Sequence, residues 1–199
     1  MGKISTLHSE FFKNNVYHNI SKEQVYGIIQ MPIAAGQAEL ALQEAYKDGI
    51  EIKSKKSSEF ENNVRAVDVW RLSTTDSFVS EVLNNYVAHA NKSFNYKLSS
   101  IQDIQYLEYH ADKNAKYDWH IDIGDGAKAN RKISISWVLN QGFVGGDLEF
   151  FYDGGEVMRL NPEPTLMIGF TSFFNHRVTP LKAGVRKVIV AWISGPAWK

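Results

Sequence analysis

From residue 100 onward the sequence is cut into short runs of β-branched and aromatic residues, separated by glycine and proline, with no helical stretch between them. Such runs read as strands. They cover Ile101–Tyr109, Tyr117–Ile123, Arg131–Leu139, Asp147–Tyr152, Glu156–Leu160, Thr165–Phe170, Phe173–Val178 and Arg186–Ile193. Asp153-Gly154-Gly155 carries a hairpin signal, and Asn161-Pro162 breaks the run that follows it. Strands without βαβ alternation point to packed antiparallel sheets. The expected fold is α+β, mainly β: a double-stranded β-helix (jelly roll, cupin-like) core with N-terminal helices packed on one sheet.

The first half supplies that cover. Ser21-Lys22-Glu23-Gln24 resembles a capped helix start, and Pro32 would stop the helix. A second helix is expected over Gly36–Lys47, ended by Asp48-Gly49. The strongest helical period lies in Thr75–Phe94, where Phe78, Val79, Val82, Leu83, Tyr86, Val87 and Ala90 recur on one face and Asp76 suits the first turn. Val64–Leu72 alternates like a strand, and Phe11, Phe12 and Val16 are candidate anchors. Residues 50–65 are polar and read as a loop, either an inert surface excursion or a cover over substrate. No repeat or linker interrupts the chain. One domain is expected over residues 1–199, with 1–99 as helical cover plus first strands and 100–199 as the jelly-roll core.

Composition narrows the function. The 199 residues carry equal numbers of acidic and basic side chains, so no basic surplus attracts nucleic acid or an anionic membrane. There is no cysteine, hence no disulfide, thiolate ligand or cysteine nucleophile. That is compatible with a cytoplasmic location, which is the expectation. No apolar run reaches membrane-spanning length. Met1-Gly2-Lys3-Ile4-Ser5-Thr6 fits a permissive acylation pattern, which we set aside as coincidence.

Within Tyr117–Ile123, residues two apart share a strand face, so His120 and Asp122 present an imidazole and a carboxylate together. His176, in another strand-like run, offers a third ligand. Two histidines and one carboxylate on one side of a metal form the facial triad of non-haem Fe(II) oxygenases. Many such enzymes take electrons from 2-oxoglutarate, whose far carboxylate needs a fixed cation. Arg186 begins an apolar strand ten residues after His176 and can bind a carboxylate through two donors. Lys187 points to the opposite face. His89 and His110 are not expected to be ligands.

Taken in order, His120-Ile121-Asp122, Gly145-Gly146-Asp147-Leu148-Glu149-Phe150, His176-Arg177-Val178-Thr179-Pro180, Gly184-Val185-Arg186 and Trp192 resemble the 2-oxoglutarate/Fe(II)-dependent dioxygenases of the prolyl 4-hydroxylase type. The spacing is most similar to the PKHD-type bacterial or viral branch. The resemblance implies Fe(II), 2-oxoglutarate and O2 as cofactor and cosubstrates, and it accommodates ascorbate. It implies His120, Asp122 and His176 as metal ligands and Arg186 as the partner of the distal carboxylate. It also places Tyr109 in the cosubstrate pocket, Tyr117 near the substrate entrance and Trp192 beside the metal. Val138 departs from the pattern, because some oxygen-sensing relatives have a tyrosine there that touches the cosubstrate.

The implied reaction is hydroxylation of a C–H bond, with prolyl residues of a peptide or protein as the leading substrate and succinate and CO2 released. Hydroxylation of a free amino acid or other small molecule, and a non-catalytic jelly-roll binding role, are the alternatives. The nucleic-acid demethylases of this class typically carry a second arginine six residues after the first; here Trp192 stands there. The aromatic supply of Tyr106, Tyr109, Tyr117, Trp119, Trp137 and Trp192 suits a proline ring or another apolar target.

Overall fold

A computed structural model describes residues 27–34, 36–52, 67–151, 157–161 and 163–198. The described chain runs β1 (Ile28–Pro32), α1 (Gln37–Asp48), β2 (Ile50–Glu51), β3 (Asp68–Leu72), α2 (Phe78–Phe94), β4 (Ile101–His110) and β5 (Tyr117–His120). It continues through β6 (Arg131–Val138), β7 (Val144–Gly145), β8 (Leu148–Phe151), β9 (Val157–Leu160) and β10 (Leu166–Thr171). The last strands are β11 (His176–Val178), β12 (Leu181–Ala183) and β13 (Val185–Ser194). The large sheet has the order β1-β10-β6-β13-β4-β3-β2, and the smaller one β5-β11-β8-β9; β12 and β7 form a short ribbon. All pairings are antiparallel. This is the expected mainly-β jelly roll, with α1 and α2 packed on the large sheet.

Alternation along the central strands builds two apolar layers. Ile133, Ile135 and Trp137 of β6, with Ile189, Ala191 and Ile193 of β13, meet Val79, Leu83, Tyr86 and Ala90 of α2. The opposite faces of those strands supply Val138 and Val188, which pack on Leu148, Phe150, Leu160 and Val178 of the small sheet. Each fully buried aliphatic side chain contributes about 1.5–3 kcal/mol. The site described below opens within this second layer.

Four local expectations are corrected. Ile28–Pro32 is not the end of a helix but a strand, paired with β10 from Ile28↔Phe170 to Pro32↔Leu166. As an edge strand it tolerates proline, and cross-strand pairing outweighs the upstream capping signal. Asp76 lies ahead of α2 with φ 55°, and Ser77 is the cap, exchanging hydrogen bonds with Ser80. The strand beginning at Tyr117 ends at His120 rather than Ile123, and that beginning near Phe173 starts only at His176. The connection after Thr179 contains β12, which pairs with β7. The helix start at Ser21, the anchors Phe11, Phe12 and Val16, the turn at Asp153 and nearly all of the 50–65 loop lie outside the described residues. None of the described helices is long and apolar enough to cross a membrane.

Helix α2 sits close to the sheet because Gly169 of β10 has no side chain. A Cβ there would stand 2.5 Å from the Tyr86 hydroxyl oxygen, which donates to the Ile29 carbonyl at 2.9 Å. Gly169→Ala is therefore expected to lower stability by about 1–3 kcal/mol. Urea unfolding checks this, as a lower midpoint at unchanged slope.

Candidate metal and cosubstrate site

His120 and His176 face each other across the β5–β11 ladder, as direct register partners, with ring centroids 4.1 Å apart. Each ring is oriented by its own backbone. Nδ1 of His120 lies 2.7 Å from the Asp118 carbonyl oxygen, and Nδ1 of His176 lies 2.9 Å from that of Phe174. A carbonyl can only accept, so each Nδ1 carries the proton and each Nε2 presents a lone pair. Burial pushes the His176 imidazole down to about 4, although Asp122 pulls the other way. It is therefore neutral, as a ligand must be, at ordinary pH.

Asp122 reaches the same point from outside the strand. Its N–H donates to the Ser172 carbonyl at 2.9 Å, and its own carbonyl accepts from Arg131 Nη1 at 3.2 Å. Its carboxylate accepts from the Ser134 hydroxyl at 2.6 Å. The two carboxylate oxygens stand 3.6 Å from His120 Nε2 and from His176 Nε2, respectively. That is beyond a good hydrogen bond. It is close to the 3.0–3.5 Å, roughly, that separates atoms each about 2.1 Å from one ion. Burial alone would raise the Asp122 carboxyl, but the two imidazoles and the Ser134 hydroxyl outweigh it and hold it below the usual carboxylate range. One ligand atom from each of the three residues falls within a mutual 4.8 Å, and this is the metal-competent cluster found among the described residues.

The cluster opens into a cavity lined by residues of both sheets. Arg186, 1% exposed, lines the same cavity. Among the described residues, its Nε and Nη2 have no hydrogen-bond partner. Those two atoms form one edge of the guanidinium, the edge that grips a carboxylate through two parallel bonds. Gly146 makes room for the side chain, since a Cβ there would stand 2.8 Å from Arg186 Cδ. The positive φ of Gly145 and Gly146 explains the glycine pair in the sequence motif. Leu148 and Phe150 of the same motif point into the apolar layer, while Glu149 is buried beneath Arg159 and Arg177, which pair with it.

All seven residues singled out in the sequence line this cavity: Tyr109, Tyr117, His120, Asp122, His176, Arg186 and Trp192. Tyr109 is the direct register partner of Arg186 across β4 and β13, its ring centroid 5.2 Å from the guanidinium carbon. Tyr117 stacks on His120 at 3.6 Å. The buried indole N–H of Trp192 has no partner among the described residues, and Arg131 lies over its ring at 4.1 Å. Val138 is buried in the same apolar layer and leaves no phenol there. Three aromatics do not reach the cavity. Tyr106 and Trp137 pack under the helices, and Trp119 faces Phe151 and Arg177. His110 lies 3.2 and 3.3 Å from the carboxylates of Asp68 and Glu108, and His89 is exposed. Sequence reasoning missed Ser134, Arg131 and Gly146. Only the glycine left a trace, as part of a Gly-Gly pair.

The donor set fits a divalent first-row ion with open positions, and the unpaired guanidinium edge fits a small dicarboxylate. Residues 104–194 match the family model of the 2OG-Fe(II) oxygenase superfamily, whose members use Fe(II), 2-oxoglutarate and O2. A prolyl-4-hydroxylase from Pseudomonas putida has a similar structure, with TM-score 0.69 and 16% identity over 90% of this chain and 98% of that one. A prolyl hydroxylase from Trichoplax adhaerens, solved with a peptide fragment of hypoxia inducible factor, gives TM-score 0.69 and 16% identity over 96% and 92%. The viral collagen prolyl hydroxylase of Paramecium Bursaria Chlorella virus-1, solved with 2OG, gives 0.63 and 14% over 85% and 97%. These likenesses establish the fold. No curated protein matches the sequence significantly.

Ser134 reaches the triad from the opposite sheet. Ser134→Ala should weaken divalent metal binding about 10–100-fold while the chain stays folded. Titration with Mn(II), followed by electron paramagnetic resonance, checks this.

Proposed function

We propose that this chain, which over residues 104–194 matches the family model of the 2OG-Fe(II) oxygenase superfamily, is a dioxygenase of that superfamily that hydroxylates prolyl residues of a peptide or protein. The observation that carries the chemistry is the pairing, in one cavity, of the His120–Asp122–His176 cluster with the unpartnered edge of Arg186. The prolyl substrate is supported by the fold shared with three prolyl hydroxylases, one of them solved with a peptide.

His120, Asp122 and His176 would hold Fe(II), with positions left open for cosubstrates. The bound iron supplies the coupled chemistry: O2 is reduced, 2-oxoglutarate loses CO2 to become succinate, and a C–H bond becomes C–OH. The protein's part is orientation and shielding. Arg186 pairs with the distal carboxylate of 2-oxoglutarate, and Tyr109 flanks that pair. Ser134 and Arg131 fix Asp122, so the carboxylate keeps one geometry. Tyr117, stacked on His120, and Trp192 form the apolar wall against which a proline ring rests. The apolar layer around the cavity excludes water from the reacting atoms.

Anaerobic addition of Fe(II) and then 2-oxoglutarate should produce the visible charge-transfer band of a chelated 2-oxo acid. His176→Ala should lack the band. Arg186→Met should need about 100-fold more cosubstrate to show it, the scale expected when one partner of a buried charge pair is removed. No band in folded, iron-replete protein would refute the oxygenase reading.

The substrate is tested separately. Proline-containing peptides should gain one oxygen by mass spectrometry, with consumption of 2-oxoglutarate coupled to that gain. Turnover of free amino acids alone would replace the peptide reading with that of a small-molecule hydroxylase.

A further inference from the structure

We infer that Asn140 is the positioning residue that aims Arg186 into the cavity, a role that rests on the proposed binding of 2-oxoglutarate. The regular ladder between β6 and β13 runs out at Val138↔Val188. One more backbone bond follows, from Leu139 N–H to the Lys187 carbonyl at 2.8 Å. Beyond it the β6 chain departs, while the stretch of β13 bearing Arg186 still needs a partner on that side.

The Asn140 side chain takes over. Its Nδ2 donates to the Val185 carbonyl at 2.8 Å, and its Oδ1 accepts from the Lys187 N–H at 2.8 Å. The carboxamide thus behaves as an extra peptide unit, with donor and acceptor both satisfied. The two residues it holds are those immediately before and after Arg186. On the far side of β13, Arg186 is register partner to Tyr109 of β4. The backbone of Arg186 is therefore fixed from both neighbours, by a strand on one side and by one side chain on the other.

This matters because nothing within the described residues fixes the outward edge of the guanidinium: its Nε and Nη2 have no partner. Side-chain aim must come from the backbone and from the wall at Gly146. Asn140 does not line the cavity. Its hydrogen bonds to β13 go to Val185 and Lys187, so its effect on the site passes through the strand that carries Arg186. A displacement near 1 Å of such a group costs roughly up to 100-fold in binding or rate.

The experiment compares two 2-oxo acids on the Fe(II)-loaded protein: 2-oxoglutarate, and 2-oxovalerate, which ends in a methyl group where 2-oxoglutarate has its distal carboxylate. Asn140→Ala should raise the Kd for 2-oxoglutarate about 10- to 100-fold. It should leave the Kd for 2-oxovalerate and the Mn(II) affinity unchanged, and turnover at saturating 2-oxoglutarate should stay within about twofold of wild type, a shift in KM rather than kcat. In an Arg186→Met background the same substitution should add no further loss. Asn140→Asp, which keeps the acceptor for Lys187 but turns a carboxylate on the Val185 carbonyl, should give the same pattern if the alanine variant folds poorly. Equal weakening of both acids, or a loss additive with Arg186→Met, would overturn the assignment and leave Asn140 a general brace of the sheet. Wild-type protein that binds neither acid would overturn the proposed function and this inference together. Wild-type binding that Asn140→Ala and Asn140→Asp leave unchanged would overturn this inference alone.

Discussion

A buried guanidinium with one free edge is the constraint to which the rest of the site answers. Removing a charge from water costs several kcal/mol even after relaxation, and an unpaired one is held only by a stiff surround. Arg186 sits on β13, the strand flanked by β4 and β6 in the middle of the large sheet. Its carbon skeleton packs at Gly146, and its plane lies near Tyr109. Burial pulls its proton affinity down, countered by Tyr109 and Asp147, but an arginine remains charged. On the proposed binding of 2-oxoglutarate, its distal carboxylate completes what the fold leaves incomplete, and the cost of burying the guanidinium becomes part of the selectivity for that ligand.

The triad depends on the same two-sheet arrangement in another way. His120 and His176 belong to the small sheet, while Ser172 lies in the turn leaving β10 and donates its N–H to Lys132 of β6. Ser134, which holds Asp122, belongs to β6 of the large sheet. An ion bound by the three ligands would therefore tie the facing sheets together beside the cavity. Metal affinity and the fit of the sheets are one quantity seen from two ends. The hydroxyls of Ser134 and Ser172, 3.0 Å apart, continue this polar seam through an otherwise apolar layer.

What could be read in the sequence follows from which constraints are local. The period of Phe78–Phe94 and the alternation of Arg131–Val138 are local, and both elements appear where their patterns put them. His120, Asp122, His176 and Arg186 were legible because few other arrangements give those residue types in that order a shared use. The reason given for pairing His120 with Asp122 was only half right. The strand stops at His120, and Asp122 is aimed by Ser172, Ser134 and Arg131 instead. Those supports were invisible because a serine becomes a carboxylate's donor only through cross-strand register, which the sequence alone leaves open. Ile28–Pro32 failed for the same reason: its partner, Leu166–Thr171, lies far along the chain and overrode a nearby helix signal.

Val138 connects these points to specificity. Where a tyrosine could share the grip on a distal carboxylate, this chain has an aliphatic side chain buried against Val188. On the proposed binding of 2-oxoglutarate, recognition then rests on Arg186, with Tyr109 beside it, and on whatever holds that arginine still. A site with several donors tolerates the loss of one aim, because the others restore the geometry. A site that relies on one forked cation does not, and the backbone around that cation becomes as consequential as the cation itself. That is why a side chain outside the cavity, joined to Val185 and Lys187 by two hydrogen bonds, governs what the cavity accepts.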